Sequence, residues 1–89
     1  MISAEVEVTN RAGIHTRPAS LIVRTAARFA SEFMIIKDSY EINGKSIIGV
    51  MTLAAEQGAT LMLQFHGDDE KEALAAVVEL FEDGFGEAY

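Results

Sequence analysis

ISAEVEVTNRAGIHTRPASLIVRTAARFA, Ile2 to Ala30, changes its hydrophobic period partway along. Over Ile2 to Thr9 apolar and polar residues alternate, placing Ile2, Ala4, Val6 and Val8 on one side, which is the period of a half-buried strand. From Thr16 to Ala30 the period lengthens to that of a helix, with Pro18, Ile22, Ala26 and Phe29 on one stripe and Ala19 and Ala30 beside it. The other side of this helix collects Arg17, Ser20, Leu21, Arg24 and Arg28, so a basic face with one exposed leucine is expected. The proline at position 18 disfavours a helical Arg17 and leaves the start of the helix open by a residue or two. Between strand and helix lies a short loop that holds Gly13 and His15.

Working outward, Phe33 to Lys37 and Tyr40 to Asn43 read as short strands separated by the turn residues Asp38-Ser39, and the second stops at Asn43-Gly44. Thr60 to His66 alternates again, with Leu61, Leu63 and Phe65 set against Met62, Gln64 and His66. Asp68, Asp69 and Glu70 then crowd the start of a helix, where carboxylates suit the positive end of the helix dipole; Ala73 to Phe81 forms its body before Gly84. Ser46 to Ala55 has a serine suited to an N-cap followed by Ile47, Ile48, Val50, Met51, Leu53 and Ala54, apolar around nearly the whole circumference. Val50 and Leu53 can face a sheet. Ile47, Ile48 and Met51 are left either for an exposed docking patch or for cover by a loop. The order strand, helix, strand, strand, short helix, strand, helix, with single-sided apolar faces, predicts an α+β fold: an antiparallel sheet with helices packed on one face. No linker, repeat or low-complexity tract divides the chain, so one domain over 1–89 is expected.

Composition narrows the function classes. The 89 residues are 49% hydrophobic and include no cysteine, so neither a disulfide framework nor a thiolate metal site is available, which fits a reducing cytoplasm. No run approaches the roughly 20 apolar residues of a membrane span, and MISAEVEV lacks the layout of a signal peptide. A net charge of −7 argues against general nucleic-acid binding, because phosphate backbones are held by lysine and arginine. The distribution is uneven: between Val8 and Ser31 stand Arg11, Arg17, Arg24 and Arg28 and no carboxylate, and His15 sits in that basic segment. Chance clustering on a solvated face accounts for the charges alone.

The chemistry centres on that histidine. Imidazole, with an ordinary pKa of about 6.5, offers an uncharged nucleophilic nitrogen near neutrality. At a helix start, unpaired backbone N–H groups and the dipole favour an anion, and an arginine adds charge-assisted bonds to phosphate oxygens. His15, Arg17 and a helix start together suit a transient phosphohistidine. A hydrolase needs a nucleophile, base and orienting acid, and no carboxylate lies near His15 in sequence, although a fold can bring one. A metal site needs several ligands, and the other histidine, His66, falls on the outward side of its strand.

Two segments carry a family resemblance. Asn10-Arg11-Ala12-Gly13-Ile14-His15-Thr16-Arg17-Pro18-Ala19-Ser20 and Gly44-Lys45-Ser46-Ile47-Ile48-Gly49-Val50-Met51-Thr52-Leu53 resemble the signature segments of the HPr family, histidine-containing phosphocarriers of the phosphoenolpyruvate-dependent sugar phosphotransferase system of bacteria. The resemblance implies an open-faced β-sandwich, a four-stranded antiparallel sheet with three helices on one face. It implies a carrier rather than an enzyme, in which His15 takes phosphate from enzyme I on Nδ1 and gives it to IIA components of sugar permeases, steadied by Arg17. It makes Ser46 a site for HPr kinase/phosphorylase and puts Thr16, Ser20, Leu21, Arg24, Ile47, Ile48 and Met51 on the partner surface. No cofactor, metal, nucleic acid or membrane insertion is implied, and a cytoplasmic monomer is expected. Thr16 departs from a frequent alanine and Ser20 from a common threonine; neither removes a required group. A regulatory relative acting mainly through Ser46, as a corepressor or metabolic sensor, and a plain interaction module are the competing readings. Ser46 also has the ordinary role of a helix cap.

Overall fold

The computed structural model describes residues 1–87; Ala88 and Tyr89, the end of the expected domain, lie outside the described residues. Strand β1 (Ile2–Glu7) leads to helix α1 (Thr16–Ala26), then strands β2 (Glu32–Lys37) and β3 (Tyr40–Asn43), helix α2 (Ile47–Thr52), strand β4 (Thr60–His66) and helix α3 (Glu70–Glu82), with a 3-10 turn at Gly84–Gly86. The four strands form one antiparallel sheet in the order β1-β4-β2-β3. Alternation fixes its register: Ile2, Ala4 and Val6 lie opposite Phe65, Leu63 and Leu61, and Phe33 and Ile35 lie opposite Phe65 and Leu63 on the other flank of β4. A slip of one residue in any pair would turn these side chains to water. Glu5, Met62, Ile36 and Glu41 run across the opposite face.

The three helices cover the apolar face. Helix α1 buries Pro18, Ala19, Ile22 and Ala26, and α3 buries Ala73, Val77 and Phe81. Phe33 and Phe65 stack beneath them with ring centroids 4.1 Å apart. Among the described residues no helix is long and apolar enough to cross a membrane.

Two helices stop earlier than periodicity predicts. α1 ends at Ala26 rather than Ala30, and the next residues continue as tight turns in which Arg28 N and Phe29 N bond back to Thr25 O and Ala26 O. Phe29 stays half-buried against the core, but Ala30 is exposed, contrary to the expected stripe. Tertiary bonds take this stretch of backbone instead: Lys45 Nζ donates to Phe29 O at 2.7 Å and Asp69 Oδ2 accepts from Ala30 N at 2.8 Å. α2 stops at Thr52 rather than Ala55. Ala54 turns into the left-handed region at φ 51°, and the chain reverses so that Leu53 and Ala55 both enter the core.

Carboxylates stand at the start of α3 as expected, with Glu70 and Glu72 in its first turn, and two of the acidic residues also make specific bonds. Asp69 is the N-cap residue, but its side chain caps nothing on its own helix. Its Oδ1 accepts from Ser31 N at 3.0 Å and from the Ser31 hydroxyl, tying the α1–β2 connection to α3. Glu70 does the local capping, accepting from Gly67 N at 3.1 Å. The Ser31 hydroxyl and then the Ala30 amide hold the Asp69 carboxyl below its ordinary pKa. A depressed folded-state pKa stabilises above the unfolded value and is lost as pH falls through the folded one. Asp69→Ala is therefore expected to lower the melting temperature at neutral pH, with the gap from wild type narrowing as pH falls through the acidic range. Thermal melts followed by circular dichroism at several pH values check this, and a pH-independent gap contradicts it.

Candidate functional site

The loop from β1 to α1 is shaped by its own backbone bonds. Asn10, fully buried, donates from Nδ2 to Gly13 O at 2.9 Å, and Ile14 N donates to Ala55 O at 2.9 Å. Gly13 has φ 72°, and a Cβ there would lie 2.6 Å from Ala55 O, so only glycine lets the loop lie against the α2–β4 connection. Ile14 is buried as a result, and His15 is turned outward, its side chain 42% exposed.

His15 is the N-cap of α1 with extended backbone, and its carbonyl accepts from Ala19 N at 3.0 Å. Its imidazole makes no capping bond. The first-turn N–H groups of Thr16 and Arg17 have no intrahelical acceptor, by the geometry of any helix start, and Pro18 in the same turn has no N–H to satisfy. The helix thus begins at Thr16, and Arg17 is helical despite the proline after it, because a proline in the first turn costs no backbone hydrogen bond.

The residue that sequence reading missed arrives from the far end of the chain. After α3, Gly84, Phe85 and Gly86 all adopt left-handed backbone, with φ of 59°, 58° and 71°. Phe85 is buried edge-on against Phe81, ring centroids 5.0 Å apart, which holds a conformation unfavourable for a side-chain-bearing residue. The turn folds residues 84–87 back over the His15 loop. Phe85 O accepts from Arg17 Nη1 at 2.7 Å. Glu87 Oε2 accepts from the same Nη1 at 3.0 Å and lies 3.0 Å from His15 Nε2, while Oε1 accepts from Asn10 Nδ2 at 2.9 Å. The Asn10 amide first, then Arg17 and the neighbouring His15, hold the Glu87 carboxyl below its ordinary pKa. The fold supplies the carboxylate that no stretch near His15 provides. The glycine–phenylalanine–glycine run just after a helix was its one available signal.

The other expected site residues separate into two groups. Arg17 and Arg24 are exposed on α1, Thr16 is exposed beside His15, and Ser20 is half-buried. Leu21, expected to be exposed, is half-buried against the core, because a helix whose apolar stripe is rich in small alanines lets the flanking leucine lean inward. On α2 the balance is reversed. Val50 is fully buried, whereas Ile47 is 39%, Ile48 73% and Met51 42% exposed, an apolar patch with no loop over it among the described residues. Ser46 is the N-cap of α2, its Oγ accepting from Gly49 N at 3.1 Å. α1 and α2 pack side by side, so the His15 end and the patch belong to neighbouring helices. His66 is exposed at the far end of β4, opposite Glu32 in the sheet.

An open-faced α+β sandwich that holds an exposed imidazole beside an arginine at a helix start has the form of a phosphoryl carrier. A family profile described as "PTS HPr component phosphorylation site" matches residues 2–83, and the chain belongs to the PTS-HPr family, the bacterial phosphocarriers of the phosphotransferase system. It is 48% identical to the phosphocarrier protein HPr of Treponema pallidum (strain Nichols) across 98% of this chain and 99% of that one. An HPr-like protein Crh of Halalkalibacterium halodurans is 44% identical across 92% and 98%. The crystal structure of HPr-C-His from Thermoanaerobacter tengcongensis superimposes with a TM-score of 0.96 at 44% identity, covering all of both chains. The open-faced fold inferred from the sequence is the fold observed.

Proposed function

We propose that this chain is a monomeric cytoplasmic carrier that takes a phosphoryl group from phosphorylated enzyme I on His15 and passes it to IIA components of sugar permeases. One observation carries the reading: His15 projects at the head of α1 with Arg17 beside it, its ring exposed enough to enter a partner's active site. In the transfer, an imidazole lone pair attacks phosphorus. The N–P bond forms as the donor's bond to phosphorus breaks, and that bond's electron pair leaves with the donor; the IIA step runs the same exchange in reverse. Arg17 supplies charge-assisted bonds to the phosphoryl oxygens, and the free N–H groups of the first helical turn favour the added negative charge.

His15→Ala is expected to abolish acid-labile phosphate uptake from enzyme I and phosphoenolpyruvate with the fold retained. Arg17→Ala, which keeps the nucleophile, should slow transfer about tenfold rather than abolish it. Phosphate retained by the His15 variant would move the site elsewhere, with His66 the remaining histidine.

The α2 patch supports a docking role, since apolar side chains at the interface core suit transient partners. Replacing Ile47 or Ile48 with aspartate should weaken enzyme I and IIA binding by tenfold or more while changing stability by no more than about 0.5 kcal/mol. Calorimetric binding and thermal melts on the same samples separate the effects; collapse of the fold would make these residues core.

Ser46 supports a second level of control through HPr kinase/phosphorylase. A helix N-cap tolerates phosphate, which adds about −1.5 to −2 charges, so modification alters the docking surface without unfolding it. Repulsion from an acidic partner that meets Arg17 and Arg24 should slow His15 phosphorylation, and Ser46→Asp should reproduce part of that effect, fading as salt rises. Equal rates for Ser46→Ala and Ser46→Asp at low ionic strength would leave the serine as a cap alone. The similarity to an HPr-like protein Crh keeps a mainly regulatory role as the alternative. Against it, a chain that signals only through Ser46 has no need of His15 and Arg17.

A further inference from the structure

An antiparallel sheet covered on one side commonly shows polar residues on the other. Here the uncovered face departs from that pattern. The register places Met34 and Ile36 of β2 and Met62 of β4 on it, with Ile36 directly opposite Met62. All three side chains are part-exposed, and together they form an apolar stripe along the two central strands. Carboxylates frame the stripe: Glu5 and Glu7 of β1 on one flank, Glu41 of β3 on the other, and Glu32 at the start of β2. Alternation turns Lys37, the basic residue of the strands, to the opposite side, so nothing on this face neutralises the frame. Beside Met34 a depression of about 300 Å³ opens between Glu32, Glu41 and Gln64. Single apolar residues at a surface need no explanation, whereas a contiguous stripe with a wholly acidic rim marks a contact surface.

We infer that this face is a docking surface separate from the α2 patch, and that its occupant is a basic amphipathic helix of a partner protein. The inference is independent of the chemistry at His15. The helices lie on the other side of the sheet, so His15 and the α2 patch stay uncovered when this face is occupied. The dimensions suit a helix. Glu5, Met62, Ile36 and Glu41 form one row across the four strands, which puts the flanking carboxylates about 14 Å apart at ordinary strand spacing. A helix with its side chains is about 10–12 Å across and fits between them. Met34 and Ile36 are about 6.6 Å apart along β2, close to the rise of about 6 Å between helical residues i and i+4. Basic side chains on the two flanks of the helix meet Glu5 and Glu7 on one side and Glu41 on the other. An arginine beside the helix's apolar stripe enters the depression, its methylenes on Met34 and its guanidinium between Glu32 and Glu41. The same acidic frame repels nucleic acid, anionic lipid and the matching face of a second copy.

The test uses the intact ¹⁵N-labelled chain and a synthetic probe, an amphipathic leucine–arginine helix of about 15 residues, with a leucine–glutamate peptide as its control. The basic peptide should shift amide signals around Met34, Ile36 and Met62 and leave those of His15 and Ile48 in place; the acidic one should shift none. Ile36→Ser should weaken binding roughly tenfold. Glu5→Gln combined with Glu41→Gln should weaken it roughly threefold to tenfold at low salt, with the difference fading as salt rises. Glu72→Gln combined with Glu79→Gln removes as much charge from the exposed side of α3 and should change binding by less than about twofold. Thermal melts show whether each variant is folded, and the glutamine pairs decide the matter if Ile36→Ser is not. Equal weakening by the two glutamine pairs would reduce the binding to attraction by net charge and overturn the inference. So would the absence of saturable binding, or shifts centred on α1 and the α2 patch. Shifts in β2 and β4 that grow with protein concentration and no peptide would make the face a contact between copies of this chain instead.

Discussion

The buried side chains of the sheet all lie on one face, and the rest of the molecule answers that constraint. Burial of apolar surface is the main favourable term in folding, so a face carrying Leu61, Leu63, Phe65, Phe33 and Ile35 must be covered. Three helices cover it, and every connection therefore runs at the ends of the sandwich. His15 lies in one of these connections and Ser46 opens the short covering helix. The outer face of the sheet, with Glu5 and Glu41 in one row, is left uncovered by the helices.

On the phosphocarrier reading proposed for His15, the reactive group has to be exposed and still held in one geometry. The structure meets both requirements with contacts distant in sequence. The imidazole faces solvent, but its loop is fixed to Ala55 on one side and reached by Glu87 on the other, 72 residues away. Arg17 is shared between Phe85 O and Glu87, so its guanidinium is oriented before any phosphate is present. No carboxylate stands between Val8 and Ser31 in the sequence, and the one that meets His15 and Arg17, Glu87, reaches them from the far end of the described chain.

Much of the fold was legible because one residue in two along the strands is apolar. The limits of β3 and β4 were read correctly from alternation and from the turn residues around them. Helix ends were less legible. Nothing local distinguishes Ala27 to Ala30 from more helix; Lys45 and Asp69, distant in sequence, capture that backbone. The end of α2 depends on a left-handed alanine that no propensity predicts. At the candidate site, His15 and Arg17 stood out by residue type beside a helix start, and the exposure of Ile47 and Ile48 was left open by the local period and is seen in the structure; Glu87 was not legible, since its place beside them depends on a turn that buries Phe85 against Phe81. Leu21 was misjudged for a related reason: its inward lean depends on the small residues that line the stripe beside it.

If Nε2 is held by Glu87 and the ring faces a donor with Nδ1, the phosphoryl group should be found on Nδ1 of His15 and nowhere else. The direct measurement is ³¹P–¹⁵N correlation by NMR on chain labelled with ¹⁵N-histidine, after phosphorylation by enzyme I and phosphoenolpyruvate. A single phosphorus–nitrogen coupling to Nδ1 of His15 is the predicted result; coupling to Nε2, or phosphate on His66, would contradict the account.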